Sequence, residues 1–277
     1  DETPTPAGRK KGKMDKGYFW AFYGDQDEIY YLFSPTRATV VLEDALATYQ
    51  GHLVCDGYSA YKNFTKMTLG VALVQCWSHT RREFLKAEKQ DPERVKWVLR
   101  QIRLMYDEEE KTRGKPPNKV LKLRQKHIKP LVDKLFEFLR TTIQEETFVP
   151  SDPFLKAANY ALNREEPLKA FLDNPELPMD TNHLERELRP HAVGRKNWMF
   201  HVTEEGARHA AIFYSLIRSC SLAEVNPFVY LVDVLQRIDR HPASKTELLI
   251  PRQWKEHFAQ APLTSPLAEV LVSSLNI

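Results

Sequence analysis

Two short aromatic runs, "GYFWAFY" and "IYYLFS", flank the polar stretch "GDQDE". Aromatic, β-favouring residues on either side of a turn-rich segment predict a β-hairpin over 17–34. The period then changes. Ser34 offers an N-cap and Pro35 a first helical position, and Val41, Leu42, Ala45, Leu46 and Tyr49 recur at helical spacing, which predicts an amphipathic helix over 35–49. "HLVCDGY" (52–58) and "GVALVQCW" (70–77) are short apolar runs that read as strands, joined by a helix-like connector. Asp56 ends the first of them before a glycine turn, and "HTRREFLKAEKQ" after the second reads as a helix. Asp1 is expected to end a further strand, with a Thr-Pro turn after it. The order strand, strand, strand, helix, strand, helix, strand, helix predicts an α/β fold with a mixed sheet and helices packed on it.

From residue 92 the pattern is helical. "ERVKWVLRQIRLMYDEEEKTRG" and "NKVLKLRQKHIKPLVDKLFEFLRTTI" are long segments around "GKPPN", and their alternating charges read as a solvated face. A Pro-rich loop, "DNPELPMDTN", leads into "HLERELRPHAVGRKNWMF". Residues 204–220 carry a broad apolar face (Ala207, Ala211, Ile212, Leu216) and are expected to be buried. Asn226-Pro227 starts another helix, with Phe228, Leu231, Val232, Leu235 and Ile238 on one stripe. Five ranges follow: a first core part at 1–91, a helical insertion at 92–172, a second core part at 173–222, a helical appendage at 223–242, and a loosely attached tail at 243–277. No internal repeat is visible.

Composition changes this picture little. The 277 residues are 42% hydrophobic and 28% charged, an ordinary globular balance, and no apolar run reaches membrane-spanning length. Three widely spaced cysteines (Cys55, Cys76, Cys220) form neither a disulfide framework nor a full zinc site, and no signal peptide is visible, which suits a cytoplasmic protein. The net charge of +3 does not by itself point to nucleic acid, but "GRKKGKMDK" (8–16), "HTRREF" (79–84) and "RPHAVGRK" (189–196) are locally basic. The chain starts with "DETP" rather than methionine, so an upstream part is expected.

Three carboxylates stand out by position. Asp56 and Asp1 are placed at strand ends, where ligand sites of α/β sheets lie. Glu185 sits on a helix, and its local explanation is a capping box closed on Asn182 three residues earlier. The alternative is chemical. Two aspartates and a helical acid can hold two divalent ions, one activating a water or a 3′-hydroxyl and the other stabilising a leaving oxygen. Oxygen-only ligands suit Mg²⁺, with Mn²⁺ as a substitute, rather than zinc. Among 37 acidic residues the pattern alone does not decide.

"LVCDGYSAY", "QCWSHTRREF", "TNHLERELRPHAVGRKNWMF" and "NPFVYLVDVLQRI", in this order, resemble the transposases of insertion sequence family sixty-six. These are DDE transposases with an RNase H-like core. The resemblance implies that Asp1, Asp56 and Glu185 are the catalytic, Mg²⁺-binding carboxylates. It also implies DNA strand cleavage and strand transfer at element ends, with water and then the freed 3′-hydroxyl as nucleophile. Double-stranded DNA (terminal repeats and target) is the implied partner, with a homo-oligomer on paired ends, association with the nucleoid when DNA is bound, and no membrane. An apolar strand running into Asp1 and a DNA-recognition region are expected upstream. Arg189, Arg195 and Lys196 share a segment with Glu185 and are candidates for phosphate contacts, as are Arg81 and Arg82. Cys76 and His79 form a Cys-x-x-His element read as structural rather than as zinc ligands, since a structural zinc wants four. Trp198 is read as a core tryptophan near the site, with base stacking as its alternative. Two other readings stay open: an RNase H-like nuclease that does not join, and a non-catalytic DNA-binding remnant.

Overall fold

A computed structural model describes residues 1–10 and 13–265. Along the chain lie β1 (Glu2–Pro4), β2 (Arg9–Lys10), β3 (Lys13–Met14), β4 (Tyr18–Tyr23) and β5 (Ile29–Ser34), then α1 (Val40–Ala45), β6 (Gly51–Cys55), α2 (Ser59–Met67), β7 (Val71–Gln75) and α3 (Trp77–Leu85). Helices α4 (Pro92–Glu110), α5 (Pro117–Leu123), α6 (Lys129–Glu145), α7 (Pro153–Leu162) and α8 (Glu165–Lys169) follow. The last are α9 (Asn182–Trp198), α10 (Glu204–Leu222), α11 (Pro227–Arg237) and α12 (Pro251–His257). The fold is mixed α/β and mostly helical. Among the described residues its strands pair in three small ladders, β1-β4-β5 and β2-β3 antiparallel and β6-β7 parallel, in keeping with the α/β class expected.

The chain divides into two compact units, residues 1–37 with 184–277 and residues 38–183, a division that cuts across the five ranges read from the sequence. In the first unit the hairpin forms as its alternation predicts, with Gly24 donating to the Glu28 carbonyl across the turn (2.8 Å). Phe19, Ala21, Ile29, Tyr31 and Phe33 share one buried face and pack with Leu184, Leu188, Ala207 and Ala211. Each large side chain buried there contributes ~1.5–3 kcal/mol. The outer side of β5 is closed by α10. Ser219 Oγ accepts from the Ile29 amide and donates to its carbonyl (3.1 and 3.2 Å), and Ser215 Oγ accepts from the Tyr31 amide (2.8 Å). Serines thus satisfy backbone groups that would otherwise template another strand.

Four expectations are corrected here. Asp1 does not end a strand before a Thr-Pro turn; β1 continues through Thr3 and Pro4, and the Asp1 carbonyl already accepts from Ala21 (2.8 Å). The helix expected at 35–49 is short, because Ser34 Oγ takes the Thr36 amide (3.2 Å) in a local turn and helical geometry starts only at Val40. On α10, Ile212 is 53% exposed while Ala207 and Ala211 are buried. On α11 the buried face is Tyr230, Asp233 and Val234, which leaves Phe228, Leu235 and Ile238 exposed.

The last correction has a clear cause. Asp233, with no exposed surface, accepts hydrogen bonds from Arg237, from Trp254 Nε1 (2.6 Å) and from the Leu263 amide (2.6 Å). A buried carboxylate must be satisfied, so α11 turns this face inward at the expense of its apolar stripe. The same bonds, with Tyr230 Oη donating to the Leu249 carbonyl (2.7 Å), hold residues 243–265 against the helices. That stretch is no loose tail; residues 266–277 lie outside the described residues.

In the second unit the helices do not stand apart as an insertion with a core of its own. Val74 of β7 and Trp77 and Phe84 of α3 share one cluster with Val95, Val98, Ile102 and Met105 of α4, with Val132, Leu135, Phe136 and Leu139 of α6, and with Phe154 of α7. Between α5 and α6 runs a π-helical segment, Arg124–Ile128. Arg124 is buried there. Its guanidinium is held by Glu109 (3.0 Å) and donates to the carbonyls of Phe171, Asn174 and Leu177 (2.7, 2.8 and 3.1 Å).

Removing the Asp233 carboxylate strands a half-buried Arg237 and the buried Trp254. Asp233→Ala is expected to cost about 3 kcal/mol or more. Limited proteolysis should then cut first within 243–265; an unchanged melting temperature and cleavage pattern would rule this role out.

Candidate active site

In the first unit the site begins with the placement of α9. Thr181 immediately precedes the helix, which starts at Asn182, so Glu185 is its fourth residue, one beyond the capping-box position. The Asn182 amide donates instead to Asp180 Oδ1 (2.9 Å). The local explanation for Glu185 therefore lacks its geometry.

Helix α9 is fixed by buried anchors at helical spacing. Leu184 and Leu188 enter the apolar cluster, and Tyr31 Oη donates to the Glu187 carbonyl (2.7 Å). The Glu187 carboxylate accepts from Arg218 of α10 (2.7 Å), both partners being largely buried. His191, with no exposed surface, lies 2.6 Å from Thr5 Oγ1 and stacks beside Phe19 with ring centroids 4.4 Å apart. Its Nδ1 is buried without a hydrogen-bond partner among the described residues. An unmet acceptor costs less than an unmet N–H, which puts the proton on Nε2, donated to Thr5. Arg195 donates to Thr3 Oγ1 (3.1 Å) and to the Pro4 carbonyl. These bonds hold α9 to β1, and Asp1 leads into β1. One carboxylate oxygen of Asp1 and one of Glu185 lie within 4.8 Å of each other, both residues being half-buried. Next to them Glu2, its side chain without exposed surface, is ion-paired with Arg37.

The basic segment divides in two. Arg189 and Lys196 are exposed and available for phosphate contacts. Arg195 is half-buried and committed to β1, so its first role is to position the strand that follows Asp1. Trp198 is 40% exposed, not a core tryptophan. Its indole folds back over Gly194, where an added Cβ would come within 1.9 Å of the ring. A glycine is therefore required four residues before it. Of the basic run 8–16, residues 11 and 12 lie outside the described residues.

In the second unit β6 and β7 run parallel, and Asp56 follows β6 directly. Asp56 Oδ1 accepts from the Tyr58 amide (2.8 Å), and its carbonyl accepts from Gln75 Nε2 (3.0 Å). Gly57 is forced by packing: a Cβ there would stand 2.2 Å from Tyr160 Oη. Arg164 lies over the Tyr160 ring (3.8 Å to the centroid) and donates to the Gly57 carbonyl (3.1 Å). Cys76 is buried after β7. Its sulfur contacts Ser78 Oγ (3.0 Å) and accepts from the Thr181 amide and hydroxyl (3.3 Å each). Burial alone would raise the Cys76 thiol, but hydrogen bonds from His79, Ser78 and Thr181 outweigh it and hold the pKa below its ordinary value. Burial would likewise lower His79, yet the Cys76 bond and the charges of Cys76 and Asp56 raise it. Arg81 and Arg82 are exposed on α3, and Arg82 Nη1 is 3.2 Å from His79 Nε2.

Of the three expected carboxylates, the structure brings Asp1 and Glu185 together in one unit, and Asp56 belongs to the other. Residues 1–209 match the model for "Transposase IS66 family", and residues 215–252 match that for the "IS66 C-terminal element". The chain belongs to the IS66 transposase family. It is 32% identical to the uncharacterized protein y4qI of Sinorhizobium fredii over 92% of its length and 50% of that protein's. To protein y4jD of the same organism it is 30% identical, again over 92% of this chain and 53% of the relative. This IS66-family chain thus spans about half the length of the curated relatives it matches. No solved structure matches it significantly. None of its described helices is long and apolar enough to cross a membrane.

Several residues that shape the transposase-family site have no mark in the sequence pattern. Thr5, Glu2 with Arg37, Tyr160 with Arg164, and Thr181 act through partners far away in the chain. Arg164, four residues after Tyr160 on a helical stretch, is the only local spacing that could have drawn notice.

His191 gives the first unit a defined acid sensitivity. Burial, with the charges of Arg195 and His201 nearby, pushes its pKa down to about 4. The folded value lies below the ordinary one of about 6.5, so this stability is present above that pH and is lost as pH falls toward 4, by up to ~1.4 kcal/mol per pH unit. His191→Gln keeps a polar partner for Thr5 and should flatten that limb of the urea-midpoint profile. Equal pH dependence in variant and parent would sink the assignment.

Proposed function

We propose that this chain is the catalytic part of a DDE transposase that cleaves DNA at insertion-sequence ends and joins the freed strand to a target. One observation supports it most. Asp1 and Glu185, 184 positions apart in the sequence, place carboxylate oxygens within 4.8 Å of each other. Two like charges at this distance repel by ~1 kcal/mol in water and by about 3–4 kcal/mol at the effective dielectric of a protein surface. A divalent cation between them reverses the sign. The donor set is hard oxygen and fits Mg²⁺ or Mn²⁺ better than zinc. Asp56 is assigned as the third carboxylate on the family resemblance and on its position at the end of a parallel strand.

Bound there, a pair of Mg²⁺ ions would supply Lewis-acid stabilisation of the attacking and leaving oxygens of a phosphodiester. The chain supplies the rest. Asp1, Asp56 and Glu185 would hold the ions, and β1 and α9 keep two of these residues at fixed separation through Arg195, His191 and Thr5. Exposed Arg189, Lys196, Arg81 and Arg82 contact phosphates and fix register without reading sequence. Water, then a 3′-hydroxyl, is the nucleophile, so no side chain forms a covalent link to DNA. Paired ends call for a homo-oligomer on the DNA.

The test uses the full-length protein. Glu185→Gln and Asp56→Asn each remove one negative charge with little change in shape. Each should lower Mg²⁺-dependent cleavage and joining by at least about a hundredfold, ~2.7 kcal/mol of barrier, while duplex binding and the melting temperature hold. Exposed Glu205→Gln is the matched control. Near-parental cleavage by Glu185→Gln would exclude it as a ligand, and cleavage without joining would assign the protein to the nucleases instead.

A further inference from the structure

Charge is compensated unevenly on the helices of the second unit. Residues 92–145 carry fourteen Lys and Arg against eight Asp and Glu, in a chain whose net charge is +3. Many of these cations are neutralised within the fold. Arg94 is paired with Asp91 and Glu146, Lys111 with Glu108, Arg113 with Glu110, Arg124 with Glu109, and Lys129 with Asp133. Lys115, Lys119, Lys122 and Lys126 are different. All four are exposed and none has an ion pair among the described residues.

Their arrangement follows from the backbone. Val120, Arg124, Ile128 and Val132 are all buried, spaced four apart. In a regular α-helix each step of four overshoots a full turn by about 40°, so three steps would carry the series roughly a third of the way around. The π segment Arg124–Ile128 admits an extra residue into its turn and cancels part of that drift, keeping all four inward. Lys122 and Lys126 fall midway between these positions and therefore face outward. Lys119 precedes them on the same side, and Lys115 lies just before the helix. Lys119 to Lys126 spans roughly 10 Å of axis at ~1.5 Å per residue. Lys119/Lys122 and Lys122/Lys126 are like-charge neighbours at i,i+3 and i,i+4, which destabilises a helix unless something outside neutralises them.

We propose that Lys115, Lys119, Lys122 and Lys126 form a contact surface for the phosphate backbone of duplex DNA, additional to the basic residues around the carboxylates. The proposal rests on the reading that DNA is the substrate. Surface chemistry favours DNA over the other polyanions. No large hydrophobic residue between Leu104 and Val149 is exposed. A membrane-surface helix needs an apolar face to insert, and a protein partner needs an apolar or aromatic centre. A row of ammonium groups alone suits a duplex, which offers one charge per ~1.7 Å of axis.

The experiment measures binding of the full chain to a short mixed-sequence duplex, without divalent cations, as salt is varied. Replacing the four lysines by Gln should lower the log–log salt slope by about 0.9 per lost contact, up to roughly 3.6, with the melting temperature unchanged. Lys129→Gln, whose ammonium is already paired with Asp133, should leave the slope as it was. An unaltered slope in a folded quadruple variant overturns the proposal, as does a loss of binding to anionic vesicles with duplex binding intact. Because the assay needs no cation, Glu185→Gln should bind normally in it, so failure of the active-site reading would show in cleavage and not here.

Discussion

A carboxylate can hold a cation only if the backbone beneath it cannot drift, and helix α9 sets that condition for Glu185, the ligand proposed above. Its sequence is poor in the usual sources of helix stability, with Pro190 in its interior and few apolar residues. Specific bonds take over from bulk packing. Tyr31 reaches the Glu187 carbonyl, Glu187 meets Arg218, His191 meets Thr5, and Arg195 reaches Thr3 and Pro4. Each bond is directional and each joins α9 to another element. They hold the helix in one rotation and one register, which apolar contact alone would leave looser.

The acids of this region show how such a site tolerates its charge. Glu2 and Glu187 are buried, and each has an arginine that fixes it as a structural ion pair. Breaking such a pair leaves an uncompensated buried charge, so these carboxylates have little freedom to do chemistry. Asp1 and Glu185 are half-buried and face one another. Burial marks Glu2 and Glu187 as acids that maintain the fold, and the half-buried Asp1 and Glu185 are the ones proposed to bind an ion. Glu187, only two residues from Glu185, belongs to the first group, and its substitution would probe stability rather than catalysis.

Much of the fold could be read from periodicity. The hairpin, both parallel strands and the long helices follow from alternation and helical spacing, because burial of one face leaves a repeating trace. Three of the failures share one kind of cause. Ser34 bonds a nearby amide and delays α1, Asp180 takes the amide expected for the Glu185 capping box, and Asp233 turns α11 away from its apolar stripe. In each case one polar side chain with a specific partner outweighed the pattern read from the sequence. The candidate site was legible only through resemblance. Nothing in spacing links Asp1 to Glu185, and contacts such as Thr181 with Cys76 or Tyr160 with Gly57 join segments with no common period.

Glycine marks in both units how closely a motif must pack to present its acid. At Gly57 the absence of a Cβ lets Tyr160 and Arg164 close over the turn after Asp56, and at Gly194 it lets the Trp198 ring lie on α9. Neither glycine has a positive φ, so neither is there for backbone freedom. Alanine would fit the dihedral angles at both positions and fail on contact with the ring. The glycines of "DGY" and "GRKNW" are thus packing constraints. That explains how short, polar stretches can specify structure as strictly as the apolar strands beside them: at each, a large aromatic side chain fills the only space a Cβ could take.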